Sequence, residues 1–409
     1  METTKKIKEL SFLSIVIFYL SLVFFSAEGT QNYLAWVYYL DLANAFGITD
    51  GYAYRVDTYP PFSHLILKLF YNFFSLLGLE VFSIIKISMI FFLYTSSLII
   101  YFYSKSLKIA IFFIFSYVVC TLGSIDLDIF YGLFLILAFI ALKKEKIILF
   151  SIFYCISILM KWQPIILAPF LMIYIAEVNI KSFSIKSFID AFKSLNFQNL
   201  LKSFLVVLIF VLICFVTYGF LPIVKSFYVS LNHNYLSGNA LNFNWFITWL
   251  LQLVEGRSYE GRILFTKIYS HYPNYVYLGT VIFFLIYFSI LLIFSFKKRR
   301  NIEDLYFFCA LAFFAVFIFN KGAHSNHLFG ATLLFILLFI ENRKWIFHAI
   351  TTVMISNANI IMFYGINGSG KRLGVINNSF DLTLILTILN VFYFLYLLYL
   401  VRVTIIKKN

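Results

Sequence analysis

The stretch that decides the fold is GSIDLDIFYGLFLILAFIALKKEKIILFSIFYCISILMKWQPIILAPF, residues 123–170. Its middle is a basic turn, KKEK at 143–146, and an apolar run extends from each side of that turn. Both apolar runs extend beyond the quoted stretch: the first covers 109–142 and the second covers 147–177. Both runs are too long for one helix across a bilayer, which needs about 20 residues.

Each apolar run contains one polar interruption, GSIDLD at 123–128 and KWQP at 161–164. We therefore expect two short membrane helices in each run, joined by a polar connection at or below the lipid headgroups. Irregular backbone is tolerated at that depth only where protein or a watery cavity surrounds it. The aspartates of the first interruption then lie on the outer side, and the basic turn lies inside.

The composition requires a membrane. Of the 409 residues, 62% are hydrophobic and 12% are charged, a balance with which a soluble protein could not cover its surface. The formal net charge is +14, but most Lys and Arg lie in short runs between apolar segments, as the positive-inside rule predicts, so no nucleic-acid partner is expected. The cysteines have apolar neighbours and no metal-ligand spacing, and we interpret them as small core residues: Cys120, Cys155, Cys214 and Cys309.

Upstream, a first span at 10–25 is followed by AEGTQNYLAWVYYLDLANAFGITDGYAYRVDTYPPF, residues 27–62. This interval interleaves carboxylates with Tyr and Trp, which is unusual in so apolar a chain. We predict that 27–80 is the first extracytoplasmic loop and contains interfacial helices. Downstream, 178–203 predicts a cytoplasmic amphipathic helix, and 221–274 a long extracytoplasmic loop rich in Asn, Tyr and His.

Together the apolar runs predict an all-α polytopic membrane protein, a single integral membrane domain over residues 1–409. About twelve transmembrane helices are expected, with both termini in the cytoplasm. The unusual polar clusters then all fall on the outer side. That arrangement favours an enzyme at the outer interface over a transporter, whose ionisable groups would lie near mid-membrane on broken helices.

The aspartates are the candidates for acid–base chemistry. Sugar transfer from a phosphate-linked donor needs a base for the acceptor hydroxyl and cations for the departing phosphate. We predict Asp41, Asp50 or Asp57 as the catalytic base, the alternative for each being a solvated loop residue. Asp126 and Asp128 are predicted to bind a metal or orient sugar hydroxyls, or else to cap the following helix.

Lys161 is the most informative cation. Between two short spans it would cost about 2.5–3.5 kcal/mol if it faced lipid, so a fixed partner such as a lipid phosphate is expected. The alternative is that it snorkels to the headgroups. The other predicted substrate-binding residues are polar or aromatic residues of the outer connections: Gln163, Asn242, Trp245, His324, Asn326, His327, Lys371 and Arg372.

The two later clusters favour anion or sugar binding. His324 and His327 are three residues apart and have no third ligand at zinc spacing, which favours phosphate or sugar. Lys371 and Arg372 follow a glycine-rich run at 365–370 that lacks Walker spacing. We interpret these two cations as a phosphate clamp in an outer loop.

The quoted stretch 123–170 resembles multi-span glycosyltransferases of the GT-C superfamily. A Gly-x-x-Asp outer turn, a span, a basic turn, a second span and a Lys-x-Gln-Pro turn follow one another in both. Three further stretches are similar in family order: DTYPP at 57–61, GNALNFNWFITW at 238–249 and GAHSNHLF at 322–329. The resemblance implies a GT-C-like fold and inverting transfer of a sugar from a polyprenyl-phosphate-linked donor to an acceptor outside the cytoplasm.

The resemblance also implies a catalytic Asp in the first outer loop, soon after the first span. Upstream of Trp36 this chain has Gln31-Asn32 instead. Either a later carboxylate such as Asp41 or Asp57 substitutes, or the register is shifted, or the chain is not an ordinary catalyst of this class. The family includes metal-dependent and metal-independent members, so no cofactor is assigned and a divalent cation stays open.

We therefore expect a membrane glycosyltransferase, mannosyltransferase-like, that uses a polyprenyl-phosphate-linked sugar and a lipid or glycan acceptor in cell-envelope synthesis. The alternatives are an envelope polysaccharide polymerase or ligase, and a flippase or transporter for a lipid-linked sugar. The Phe-, Ile- and Lys-rich composition suggests a bacterial cytoplasmic membrane, with the active site facing outside and membrane lipids as neighbours.

Overall fold

The computed structural model describes residues 2–30, 32–54, 58–178, 180, 182, 184–232, 236–254, 273–297, 300–368, 375–376 and 380–406. These residues are mostly helical. Seven of the described helices are long and apolar enough to cross a membrane: Thr3–Phe25, Val81–Ser104, Phe197–Tyr218, Tyr277–Phe296, Ile302–Phe319, Arg343–Tyr364 and Leu382–Arg402. Shorter apolar helices accompany them. The chain is an all-α polytopic membrane protein, as predicted, and the count of about twelve spans stays a prediction.

The contacts divide the chain into two units. The first comprises Met1–Pro164, Phe204–Leu231 and Tyr364–Lys371. The second comprises Ile165–Ser203, Asn232–Phe363 and Arg372–Asn409.

The first unit is helical, with one π-helix, Val119–Gly123, and one 3-10 helix, Ser75–Leu77, among its described residues. Its first seven helices are α1 Glu2–Phe25, α2 Asn32–Tyr54, α3 Pro61–Phe74, α4 Val81–Ser104, α5 Leu107–Val118, α6 Asp128–Lys143 and α7 Ile147–Met160. Two later helices belong to it in whole or in part: α11 Phe220–Leu231, and α10 Phe197–Tyr218, which begins in the second unit.

Helices α6 and α7 form a hairpin around the basic turn. Helix α6 has Asp128 in its first turn and Lys143 in its last, each of which complements the helix dipole. Glu145 adopts a left-handed conformation with φ 57°, which reverses the chain. The hydroxyl of Ser157 on α7 donates to the carbonyl of Tyr131 on α6 at 3.1 Å. The hairpin thereby brings both polar interruptions of the decisive stretch to the same end.

The second unit contains eight further described helices and four two-residue strands. The helices are α8 Ala168–Ile175, α9 Ile185–Lys193, α12 Phe243–Val254, α13 Pro273–Phe296, α14 Ile302–Phe319, α15 Phe329–Glu341, α16 Ile346–Tyr364 and α17 Leu382–Ile406. Strand β1, Ser237–Gly238, pairs in parallel with β2, Ala323–His324. Strand β3, Val375–Ile376, pairs antiparallel with β4, Phe380–Asp381.

Helix α14 lies in the core of the second unit. Asn301 caps its N-terminus, accepting from the Asp304 amide while the Asp304 carboxylate accepts from the Asn301 amide. From Leu305 onward the helix is apolar on every face and is buried. A helix that is apolar all round has no polar face to give to solvent, so its neighbours must surround it.

The structure confirms both predicted interruptions and corrects the bounds of two helices. The first interruption falls between the π-helix and α6, and the second falls between α7 and α8. The four cysteines are free and buried. Helices α11 and α12 occupy part of the interval 221–274, because apolar residues recur there at helical spacing among the Asn and Tyr, and the extracytoplasmic position of this interval stays a prediction. The predicted helix at 178–203 is only α9, and α10 begins at Phe197, ahead of the expected 204. Helices α2 and α3 occupy the predicted first outer loop, and their interfacial position stays a prediction.

Candidate functional site

The candidate site lies in the first unit around the turn at 124–128, which we name the Asp turn. Ile125 adopts φ 60°, a left-handed conformation that is costly for a β-branched residue. Two backbone bonds from the π-helix fix the turn: the Ser124 amide donates to Val119 O at 2.9 Å, and the Asp126 amide to Cys120 O at 3.2 Å. Such strain persists only where the surroundings over-determine it, and it clusters at functional sites.

Two groups from the start of α2 hold the Asp turn from the other side. The Thr30 amide donates to Ser124 O at 3.0 Å. The indole Nε1 of Trp36 donates to Ile125 O at 3.0 Å. Both Trp36 and Ile125 are buried. Ile125 and its two neighbours are thus hydrogen-bonded both to the preceding π-helix and to Thr30 and Trp36, which are about 90 residues away in sequence.

Three glycines meet behind the Asp turn. A Cβ on Gly123 would collide with the carbonyl oxygen of Ile366, and a Cβ on Gly368 with the backbone of Gly29. The Gly29 amide donates to Asn367 O at 3.1 Å. The described part of the glycine-rich run therefore packs its backbone against the Asp turn, an approach that side chains would prevent.

The Asp turn ends in a buried ion pair. The ammonium of Lys161, the first residue after α7, donates to Oδ1 of Asp128, the first residue of α6. The side chain of Asp128 is 0% exposed and that of Lys161 11% exposed. Such a pair is weak evidence of stability, because desolvating both charges offsets their attraction. Its retention therefore invites a functional explanation.

Aromatic rings surround the ion pair. The Lys161 Nζ lies 5.7 Å from the ring centre of Tyr59 and 6.0 Å from that of Tyr131. At these distances both ring faces attract the cation. Asp126 is buried beside the pair in the same turn, with its Oδ2 4.0 Å from the Cys120 thiol. The cluster thus has two carboxylates, one ammonium and two phenol rings.

The Tyr59 ring continues into an aromatic row formed by Trp36, Tyr39, His64 and Tyr52. Trp36 meets Tyr59 edge-on at 4.7 Å between ring centres. Tyr39 stacks on His64 at 4.1 Å, and Tyr52 meets His64 edge-on at 5.1 Å. None of these rings is among the predicted site residues, although Tyr59 lies in the motif DTYPP. Pro61 of that motif begins α3, and Ser63 and His64 in the first turn of the helix are buried.

The backbone of Tyr59 is fixed by two helices, α2 and α11. Its carbonyl accepts from the Tyr52 hydroxyl at 3.3 Å and from the Ser226 hydroxyl of α11 at 3.0 Å. Trp162 donates its indole N–H to that same Ser226 hydroxyl at 3.1 Å. Ser63 donates to the carbonyl of Met160. The segments that carry Tyr59 and Lys161 are thus bonded to each other through short polar links.

Lys86 supports the site from within α4. Its ammonium donates to Phe24 O at 3.0 Å, in the last turn of α1, and to Leu122 O in the π-helix. The residue is 1% exposed. A buried cation at the carbonyl ends of two helices is compensated by their dipoles. Lys86 therefore ties the helix that leads into the Asp turn to the end of α1.

Two of the three predicted catalytic bases are not in this cluster. Asp41 and Asp50 are exposed on α2. Asp41 is five residues beyond Trp36, about 140° around the helix from the side chain that contacts the Asp turn. Asp57 lies outside the described residues, one residue before Thr58 in sequence. Gln163 begins the 3-10 helix Gln163–Leu167 directly after the ion-paired Lys161.

The predicted site residues of the second unit mainly bond its own backbone. The Asn242 amide donates to Phe317 O at 3.0 Å and accepts from the Trp245 amide at 2.9 Å. The Trp245 indole donates to the Thr383 hydroxyl at 2.9 Å. Both side chains are buried, and their role in substrate binding stays a prediction. Asn326 is buried as well.

The histidine pair is organised by a turn. The His324 amide donates to Nδ1 of His327 at 3.2 Å, and the two rings lie 5.3 Å apart. His324 belongs to β2 and His327 to the 3-10 helix Ser325–Leu328, so the two residues lie on different elements. The predicted clamp residues Lys371 and Arg372 lie outside the described residues.

No metal ligand set is evident. Within the described part of the chain, no group of three or more His, Cys, Asp or Glu side chains could hold a metal ion. A divalent cation therefore remains an untested expectation. No protein-family model matches the chain, and no curated protein matches it significantly. The site is interpreted from its own geometry.

Proposed function

We propose that the chain is a membrane glycosyltransferase that moves a sugar from a polyprenyl-phosphate-linked donor to an extracytoplasmic lipid or glycan acceptor. The observation that carries the proposal is the buried Asp128–Lys161 pair, set against a strained turn and a row of aromatic rings. The resemblance to the GT-C superfamily agrees with this chemistry and is part of the same proposal.

The pair supplies a binding group for the donor phosphate. A phosphate oxygen that replaces Asp128 at the Lys161 ammonium forms a charge-assisted hydrogen bond of the same kind. Because Lys161 is largely buried, its charge acts in a medium of low dielectric and stabilises the developing negative charge of the leaving phosphate.

Tyr59 supplies a surface for the sugar, because its ring is only partly buried and the buried Trp36 ring meets it edge-on from behind. An aromatic face packs well against the apolar face of a pyranose. Asp126 and Asp128 offer acceptors for sugar hydroxyls. In this proposal Asp57 is the first candidate for the base, because it immediately precedes the segment that carries Tyr59. Asp41 and Asp50, exposed on α2, are the other candidates.

The test is sugar transfer in reconstituted vesicles. Purified protein would receive a panel of radiolabelled polyprenyl-phosphate sugars and extracted membrane lipids as acceptors. We expect Lys161→Met to lower the transfer rate by about 10²-fold or more, as removal of a charge-stabilising group does. One of Asp57→Asn, Asp41→Asn and Asp50→Asn should abolish transfer and so identify the base.

The matched control is Lys297→Met, because Lys297 forms a similarly shielded ion pair with Asp304 in the second unit. It should leave the rate near that of the unchanged protein. If Lys161→Met and Lys297→Met are equally active, the proposed phosphate site is wrong. Movement of the labelled donor across the vesicle without transfer would instead support a flippase.

A further inference from the structure

Helix α9, Ile185–Lys193, presents three different stripes along its length. Ser187 and Ala191 are buried and face the protein. Ile185, Ile189 and Phe192 are 81%, 49% and 76% exposed. These three residues are spaced i, i+4 and i+7, so they form one narrow apolar stripe. The described residues of the chain leave most of Ile185 and Phe192 and half of Ile189 exposed.

The third stripe is cationic. Lys186 and Lys193 are exposed and seven residues apart, which places them on one line about 100° around the helix from Ile185. Asp190 is exposed beyond this line, four residues after Lys186. The helix therefore turns one side to the protein, one apolar side outward and two ammonium groups along the edge between them.

Helix α9 is close in sequence to a helix that can span the membrane, which places α9 near a membrane surface. Only three residues separate its end at Lys193 from the start of α10, Phe197–Tyr218, which is long and apolar enough to span. Two bonds restrain the helix at its ends. The Ser182 amide donates to the Ser187 hydroxyl at 3.1 Å, and the Asn196 amide donates to Ala176 O at 3.0 Å.

We infer that α9 lies on the membrane surface and binds anionic lipid headgroups. Its apolar stripe of Ile185, Ile189 and Phe192 enters the boundary of the acyl chains, and Lys186 and Lys193 contact lipid phosphates. Apolar residues on one face with lysines at the edge are the pattern of an interfacial helix. Anionic lipids attract such lysines and add to the affinity that the apolar stripe provides. This role is independent of sugar transfer.

The test measures the surroundings of single spin labels on the full chain in vesicles. Labels would be placed by Ile185→Cys, Ile189→Cys or Phe192→Cys, with Lys186→Cys and Lys193→Cys as matched positions on the cationic stripe. The unchanged chain, whose four cysteines are buried, gives the background. Collisions with oxygen report lipid, and collisions with a water-soluble nickel complex report water.

In vesicles that contain phosphatidylglycerol, we expect oxygen to dominate at the three apolar positions and nickel at the two lysine positions. With the label at Ile189→Cys, the change Lys186→Gln with Lys193→Gln should increase nickel collisions there but not in phosphatidylcholine vesicles. Nickel dominance at all five positions would overturn the proposal. Exclusion of both reagents from the apolar stripe would also overturn it, because protein would then cover the stripe. Equal results in the two lipids would overturn the assignment of anionic lipid as the partner.

Discussion

At the residue level, single and double variants of the Asp128–Lys161 pair distinguish a structural role of the pair from a functional one. Lys161→Met alone leaves a buried carboxylate without its partner, which should destabilise the protein by about 3–5 kcal/mol. Replacing both residues, Asp128→Leu with Lys161→Met, should restore most of the stability, because hydrophobic residues of similar volume often replace a buried pair without loss. Thermal unfolding in detergent would measure stability, and radiolabelled sugar transfer would measure activity.

We expect the double variant to unfold near the temperature of the unchanged protein and to remain inactive. If the double variant regains transfer together with stability, the pair is only structural. If it regains neither, the pair is needed for folding and the phosphate site loses its support. The control is Lys297→Met, which removes the cation of the other shielded pair.

Gly123 allows a second prediction at the residue scale. In Gly123→Ala the added Cβ would collide with Ile366 O, a backbone atom that cannot rotate away. The segment at 364–368 or the Asp turn must then shift, and we expect the transfer rate to fall by about 10²-fold or more, as small misplacements of reacting groups do. The control is Gly78→Ala, where φ is 73° but an added Cβ meets nothing within 4 Å. Equal loss in both variants would show that the effect does not depend on the close approach of Ile366 O.

At the level of helices and turns, the positions of the two polar interruptions were predictable from the sequence. The side chains that meet at those interruptions were not. Polar residues inside a long apolar run are costly in lipid, so 123–128 and 161–164 had to interrupt helices. Which groups meet there depends on residues far apart in sequence. Trp36 bonds to Ile125 and Lys161 to Asp128 because the fold brings them together. For the same reason spacing alone could not show that Asn242 bonds to the carbonyl of Phe317.

The π-helix at Val119–Gly123 is an element whose stability should depend on Lys86. Lys86→Met removes the donor to Phe24 O, which keeps its bond from the Ala27 amide, and the donor to Leu122 O. A buried acceptor that loses its partner costs about 1–3 kcal/mol. We expect faster hydrogen exchange in the last turn of α1 and in the π-helix, with reduced sugar transfer. Lys86→Arg should retain part of both, since it keeps the charge.

The control for Lys86 is Ser96→Ala on the same helix, because the buried Ser96 hydroxyl has no hydrogen-bond partner among the described residues. That change should be neutral or slightly stabilising. If exchange is unchanged in Lys86→Met, the ammonium does not hold the two helix ends together. If exchange rises everywhere in α4 and α5, Lys86 supports the whole unit and not the π-helix in particular.

At the scale of the whole molecule, the distribution of cations predicts a topology that one labelling experiment checks. The turn at 143–146 should lie inside, and the connection before α4 should lie outside. Glu80 and Lys144 are exposed, and α4, α5 with the π-helix, and α6 separate them along the chain. An odd number of crossings between them places them on opposite sides. We expect an impermeant maleimide to label Glu80→Cys in intact cells and Lys144→Cys only after permeabilisation, against the unchanged chain as background. Labelling of both from one side would mean that α4, α5 with the π-helix, or α6 fails to cross. The predicted outward position of the Asp turn would then lose its support, and with it the proposal that the donor binds there from the outer side.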